Sequence, residues 1–234
     1  AYLFRKQMAE ADLIILNKQD TVTNAEFDEL NQALKTLMGD IPIHSMSAST
    51  GRGIAEWVDV LLGTDSVGGA GGAGGIGRAG ERILDIDYDT YAQAEAALGW
   101  LNATIDVTAA SDFSPRELAE RLITEMQNRC TLMSFPIAHL KILVVTNDSC
   151  DHIAVTDNMN PPRWGGDAAF GFTCESSLII NARVQTHPEE LAGLVRHSIN
   201  AVTDELRATA SVQQMESFSP PPPRPSHRFA EAVR

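Results

Sequence analysis

The stretch ADLIILNKQD, residues 11–20, sets the reading of this chain. Ala11–Leu16 is a short apolar run of the kind that forms a strand buried on both faces. A polar loop follows at Asn17–Asp20, and Thr23 with Glu26 forms a capping-box pattern that opens a helix. Phe27, Leu30, Leu34, Leu37 and Met38 recur on one face of that helix. Further out, Ile41–Met46 reads as a second short strand, and Ile54, Trp57, Val58, Leu61 and Leu62 line one side of another helix. Strand, helix, strand, helix in short succession predicts a parallel sheet. Two strands alone cannot bury the faces of such a sheet, so further strands are expected upstream of Ala1. The helix-like opening at Tyr2, Leu3, Phe4 and Met8, with no initial Met, carries the same expectation of a longer parent chain.

In an open parallel sheet, ligands bind just outside the carboxyl ends of the strands, where Asn17-Lys18-Gln19-Asp20 falls. These residue types suit a guanine base. Asp20, as a carboxylate, can accept parallel hydrogen bonds from N1–H and the 2-amino group. Adenine offers neither donor, and an unpaired carboxylate costs roughly 1–3 kcal/mol. Lys18 can lay its aliphatic stem along the base plane, and Asn17 can bridge the base edge and neighbouring loops. Ser47-Ala48, in HSMSASTGRGI at 44–54, follows the second strand. Backbone N–H groups at that turn can donate to the guanine O6, and Gly51 and Gly53 permit the turn. Asn17, Lys18, Asp20, Ser47 and Ala48 are therefore the candidate base-binding residues, with no catalytic group among them. The plain alternative is a polar strand-to-helix loop in which Asp20 or Thr23 only caps a helix. Three fixed positions would recur by chance on the order of 0.03 times in a chain of this length. The preceding apolar strand and the later Ser-Ala strand end narrow the match further.

ADLIILNKQD followed by SMSASTGRGI and a tryptophan-bearing helix resembles the P-loop GTPases, and more narrowly their metallochaperone branch of CobW-, UreG- and HypB-like proteins. YLFRKQMAEADLIILNKQD is similar to the CobW type, and the resemblance covers about residues 1–63. It implies that Asn17, Lys18 and Asp20 specify guanine and that Ser47 and Ala48 form the second base contact. It also implies GTP or GDP with Mg2+ as cofactors, and a parent GTPase that assists delivery of a metal or metal cofactor to a client protein. The family's phosphate-binding loop, magnesium positions and Cys-rich motif are absent from these residues. Hydrolysis needs phosphates cradled by backbone amides and a lysine, plus a metal ion. This chain alone is expected to supply guanine recognition without hydrolysis, in a cytoplasmic setting.

The glycine-rich run VGGAGGAGGIGRAG at 67–80 lacks the Gly-Lys-Ser/Thr ending of a phosphate loop and reads as a linker. The expected organisation is a GTPase-domain segment at 1–66, a linker at 67–82, a second domain at 83–210 and a Pro-rich disordered tail at 211–234. In the second domain, 83–88 and 103–109 predict strands, while 91–100 is ambiguous between helix and strand. Ser114-Pro115-Arg116-Glu117 predicts a capping box for a helix buried through Leu118, Leu122 and Met126. Strand-like runs follow at 140–146, 152–156 and 178–184, then a helix from Pro188 to about Arg207. The fold class is thus α/β, the end of a parallel-sheet P-loop GTPase domain, followed by a separate α+β domain with a mainly antiparallel sheet.

A net charge of −13 argues against a general nucleic-acid binder. No apolar run reaches the roughly 18 residues of a membrane helix, so no membrane partner is expected. Cys130, Cys150 and Cys174 are far apart, with no CxxC pair, which fits a reducing compartment. Cys150, His152, Asp148 and Asp151 form a conceivable metal cluster, weighed against an ordinary polar loop. His187 and His197 are weaker ligand candidates. Arg163 and Trp164, in NMNPPRWGGD, could contact a partner or simply pack. The rival reading from another class is a non-enzymatic interaction module, with residues 83–210 binding a protein and the first region a degenerate scaffold.

Overall fold

The computed structural model describes residues 2–39, 41–62, 90 and 97–221. The glycine-rich linker at 67–82, the strand expected at 83–88 and most of the Pro-rich tail lie outside the described residues. The chain divides into two compact units, one holding Ala1–Tyr91 and the other Ala92–Pro223.

The first unit runs α1 (Tyr2–Glu10), β1 (Ile14–Leu16), α2 (Asn24–Met38), β2 (Ile43–Ser45) and α3 (Ile54–Leu62). β1 and β2 pair in parallel, Ile14 opposite Ile43 and Leu16 opposite Ser45. The capping box at the start of α2 is complete: Thr23 accepts from the Glu26 N–H, and the Glu26 carboxylate accepts from the Thr23 N–H at 2.9 Å. Gly39, at φ +64°, ends the helix with its N–H on the Lys35 carbonyl. The described core of this unit is small, comprising Ile14, Ile41 and Met46. Neither α2 nor α3 contains a buried residue, and Leu30, Leu37 and Leu62 remain 44%, 56% and 70% exposed. The apolar helix faces expected from periodicity exist, and they stay largely open.

The second unit is an antiparallel six-stranded sheet covered by two helices. Its elements are β3 (Gly99–Phe113), α4 (Pro115–Leu132), β4 (Ile137–Val145), β5 (Cys150–Val155), β6 (Arg163–Trp164), β7 (Thr173–Val184), α5 (Pro188–Glu205) and β8 (Ala208–Phe218). The strand order is β6-β5-β4-β7-β3-β8. β7 is antiparallel to both β3 and β4, so those two are parallel to each other, joined by α4 with β7 between them. β7 and β8 repeat the device around β3 through α5. Two interlocked split β-α-β units make a ferredoxin-like core, which the β5–β6 hairpin extends at one edge. Ile105 and Val107 on β3, Ile142 and Val144 on β4, and Ile180 on β7 are wholly buried beneath Leu118, Ile123, Leu191 and Val195 of the helices.

Three differences from the sequence reading stand out. First, β3 extends beyond 103–109 at both ends, taking in Gly99 and Trp100 from the ambiguous stretch. Second, the pattern at Ser114 is only half a capping box. Ser114 Oγ accepts from the Glu117 N–H, but the Glu117 carboxylate is held by Arg121 at 2.6 Å. Third, ordered structure passes 210: β8 pairs with β3 up to Phe218, where the sequence placed a tail. Its side chains are mostly polar and exposed, as an edge strand allows, and the prolines from Pro220 on cannot extend the ladder.

The burial contrast has a measurable consequence. Ile180→Ala should destabilise the second unit by roughly 2–5 kcal/mol in urea unfolding with an unchanged slope. Leu30→Ala in α2 should change the stability of the first unit by less than about 1 kcal/mol.

Candidate functional site

Parallel pairing of β1 and β2 sends the two following loops off the same side of the sheet. The pairing runs on into those loops: Met46 N donates to Leu16 O at 3.0 Å, and Gln19 N donates to Met46 O at 3.2 Å. Lys18 then adopts the left-handed conformation, φ 65° and ψ 31°, at a cost on the order of 1 kcal/mol for a non-glycine. Local hydrogen bonds hold it there. Asn17 Oδ1 accepts from Lys18 N at 2.7 Å, and Lys18 O accepts from the Thr21 N–H and hydroxyl, both at 2.9 Å. Asp20 sits in the single 3-10 turn Gln19–Thr21 that results.

Side chains lock the loops together. Asn17 Oδ1 also accepts from Ala48 N at 3.0 Å, across 31 residues of sequence. Ser49 Oγ donates to Asp20 Oδ2 at 3.1 Å and lies 3.2 Å from Ser47 Oγ. Ser47 is fully buried and closes its own turn. Its N–H donates to Arg52 O at 2.9 Å, its carbonyl accepts from Gly51 N at 3.0 Å, and its hydroxyl accepts from Thr50 N at 3.3 Å. Gly53, at φ +77°, passes so close to β2 that a Cβ would lie 2.5 Å from Ser45 O. Its carbonyl is in turn bonded to His44 Nε2 at 2.8 Å.

The structure therefore brings Asn17, Lys18, Asp20, Ser47 and Ala48 into one cluster, with Asn17, Lys18, Asp20 and Ala48 exposed to solvent. The Ser47 hydroxyl foremost, then Asp20's own backbone N–H, with Ser49 and the Lys18 charge behind them, hold the Asp20 carboxyl below the ordinary aspartate range. At neutral pH it is an anion with acceptor capacity beyond what Ser49 uses. The N–H groups of Ser47 and Ala48, which the sequence offers to a base, each have a protein partner in this structure, Ser47 on Arg52 and Ala48 on Asn17. Ser49 was missed altogether; the only hint was a second hydroxyl in Ser-Ala-Ser.

No family model and no curated protein matches this chain. Among solved structures it is similar to Zn(II)-bound YjiA GTPase from E. coli, with TM-score 0.26, 12% identity, and coverage of 84% of this chain and 55% of that one. A Zn(II)-bound triple mutant of YjiA GTPase gives TM-score 0.27, 13% identity, and coverage of 88% and 55%. The chain thus spans about half the length of the structures it matches.

The other candidates resolve differently. Cys150 and His152 project from the same face of β5, while Asp151 between them is buried and accepts from the backbone N–H groups of His152 and Ala168 at 2.7 and 3.3 Å. Among the described residues, no group of three or more His, Cys, Asp or Glu is placed to hold a metal ion. Trp164 packs against the core. Its indole N–H donates to Glu120 at 2.8 Å, and the Arg116 guanidinium lies 4.2 Å from its ring. The Gly165 that follows is a packing requirement, since a Cβ there would fall 2.0 Å from the His152 ring. His187 is the N-cap residue of α5 without a side-chain capping bond, and His197 is exposed on that helix. Among the described residues, no helix is long and apolar enough to cross a membrane.

The hydroxyl network sets a titration. Because the folded-state value of Asp20 is depressed, its contribution to stability is present above pH ~4 and is lost as pH falls through the folded value. Ser47→Ala and Ser49→Ala should each move the Asp20 carboxyl resonance midpoint upward in an NMR pH titration. Gly53→Ala should destabilise the first unit by more than about 1 kcal/mol in thermal unfolding.

Proposed function

We propose that this chain carries the base-reading part of a guanine-nucleotide-binding domain, within a GTPase that assists delivery of a metal or metal cofactor to a client protein. The observation that supports it is the Asn17 clamp. By holding the Ala48 N–H and the Lys18 N–H at once, Asn17 Oδ1 fixes the two loops around the ionised Asp20. Asp20 accepts N1–H and the 2-amino group of guanine through the lone pairs that Ser49 leaves open. The Asn17 side-chain amide presents a donor toward the imidazole edge of the base. Ala48 N–H can share its hydrogen with the guanine O6 in a three-centre bond while keeping its contact to Asn17. Lys18, exposed in its left-handed turn, covers the base plane with its stem.

These residues recognise a base and perform no chemistry. GTP phosphates and Mg2+ would be held by parent-protein residues outside this chain, where the bound metal would offset phosphate charge during hydrolysis. Two features of the described residues support a larger parent domain: a parallel sheet of two strands, and helices α2 and α3 with apolar residues left exposed. Metal delivery is supported by the sequence resemblance over residues 1–63.

Calorimetric titration of the intact parent protein with GDP, ADP and XDP tests the reading. GDP should bind at least about tenfold more tightly than ADP, the equivalent of roughly 1.4 kcal/mol. Asp20→Asn should lower GDP affinity by roughly 10–100-fold and raise XDP affinity, because an amide can donate to the 2-oxo group of xanthine. Equal affinity for GDP and ADP would reduce Asn17–Asp20 to a helix-opening loop.

A further inference from the structure

The two helices of the second unit cover one face of its sheet, and the other face carries the residues that alternate with the core. Register places His139 beside Arg183, and Arg183 beside Trp100. One step along, Lys141 pairs with Ala154, and Ala154 pairs with Arg163. Strand alternation therefore gathers His139, Lys141, Arg163 and Arg183 at one corner of the open face. In a chain of net charge −13, this concentration needs an explanation. Arg116, Arg121 and Arg129 on α4 all pair with carboxylates. Among the described residues, no such ion pair involves Lys141, Arg163 or Arg183. Mutual repulsion is visible at His139, whose pKa is pushed down first by burial and then by Arg183, Lys141 and His152.

A second observation comes from Trp100. The Arg183 guanidinium lies 4.0 Å from its ring, and its indole Nε1 is buried with no hydrogen-bond partner among the described residues. Cations without counter-ions on this face call for an anionic occupant. Stacked bases do not suit this surface. Arg183 already occupies one face of Trp100, and the neighbouring Phe218 ring stands tilted at 6.1 Å. Carboxylates suit it, because the Arg fork and the Lys ammonium both accommodate them.

We propose that this corner of the open sheet face docks an acidic segment of a partner protein, held by Lys141, Arg163 and Arg183. This proposal does not rest on the reading of the nucleotide site, so either assignment can fail without the other.

The test is an NMR titration of the full chain with a synthetic deca-glutamate peptide, alongside a deca-glutamine peptide and a single-stranded decathymidylate. The expected result is shifts confined to the open face for deca-glutamate, weakening as salt rises, and none for deca-glutamine. Lys141→Gln with Arg183→Gln should weaken binding by about tenfold or more. Arg196→Gln, which removes an exposed cation on α5, should leave it unchanged. Arg163→Gln supplies a separate loss of affinity should the double variant unfold. Absence of binding, or binding indifferent to both the double variant and Arg163→Gln, overturns the proposal. Tighter binding of the oligonucleotide than of deca-glutamate also overturns it and gives the face to nucleic acid.

Discussion

Parallel pairing of Ile14–Leu16 with Ile43–Ser45 is the constraint on which the candidate site rests. In a parallel pair both chains leave the sheet at the same end, so two loops far apart in sequence emerge side by side. That places the Asn17 side chain within 3.0 Å of the Ala48 amide and the Ser49 hydroxyl within 3.1 Å of Asp20. The left-handed turn at Lys18 and the glycine at Gly53 are local conditions for the same arrangement. One lets the first loop fold back on itself, and the other lets the second pass close under β2. The Asn17–Ala48 and Ser49–Asp20 bonds both depend on that shared edge.

The two units differ in how their stability is built. The second has a core of Leu, Ile and Val drawn from four strands and both helices, with the Cys130 thiol buried there and pushed up to about 11. Buried among those side chains, the thiol packs as a small apolar group. The first unit has three buried hydrophobic residues among those described and depends more on caps, turns and side-chain clamps. A site assembled from hydrogen bonds on a lightly packed frame is one whose geometry a bound base would reinforce, since a ligand that binds only the folded form adds to its stability.

The ferredoxin-like topology of the second unit has a separate functional consequence. With both helices on one face, the alternate residues of β3, β4, β5 and β7 form a continuous surface on the other. Its chemistry is uneven: hydroxyl, amide and half-buried aliphatic groups in the middle, and cations beside Trp100 at one corner. Asp106, Glu175 and Glu216 share this face by register, and other carboxylates lie along α4, where they pair with the arginines of their own helix.

The sequence alone determined the features that depend on near neighbours or on the chemistry of a ligand. The apolar run ending at Leu16, the Thr23–Glu26 box and the helix beginning at Pro115 are legible because their partners lie within four residues. Asn17, Lys18 and Asp20 stand out as candidates because those residue types at that spacing suit a guanine base. Tertiary structure decided what depends on contacts across the chain. The edge strand Ala208–Phe218 carries little apolar signal, because what makes it a strand is its ladder to β3. The engagement of the Ala48 amide by Asn17, the Ser49 hydroxyl on Asp20 and the cationic corner all require a register or parallel pairing that adjacent residues do not encode.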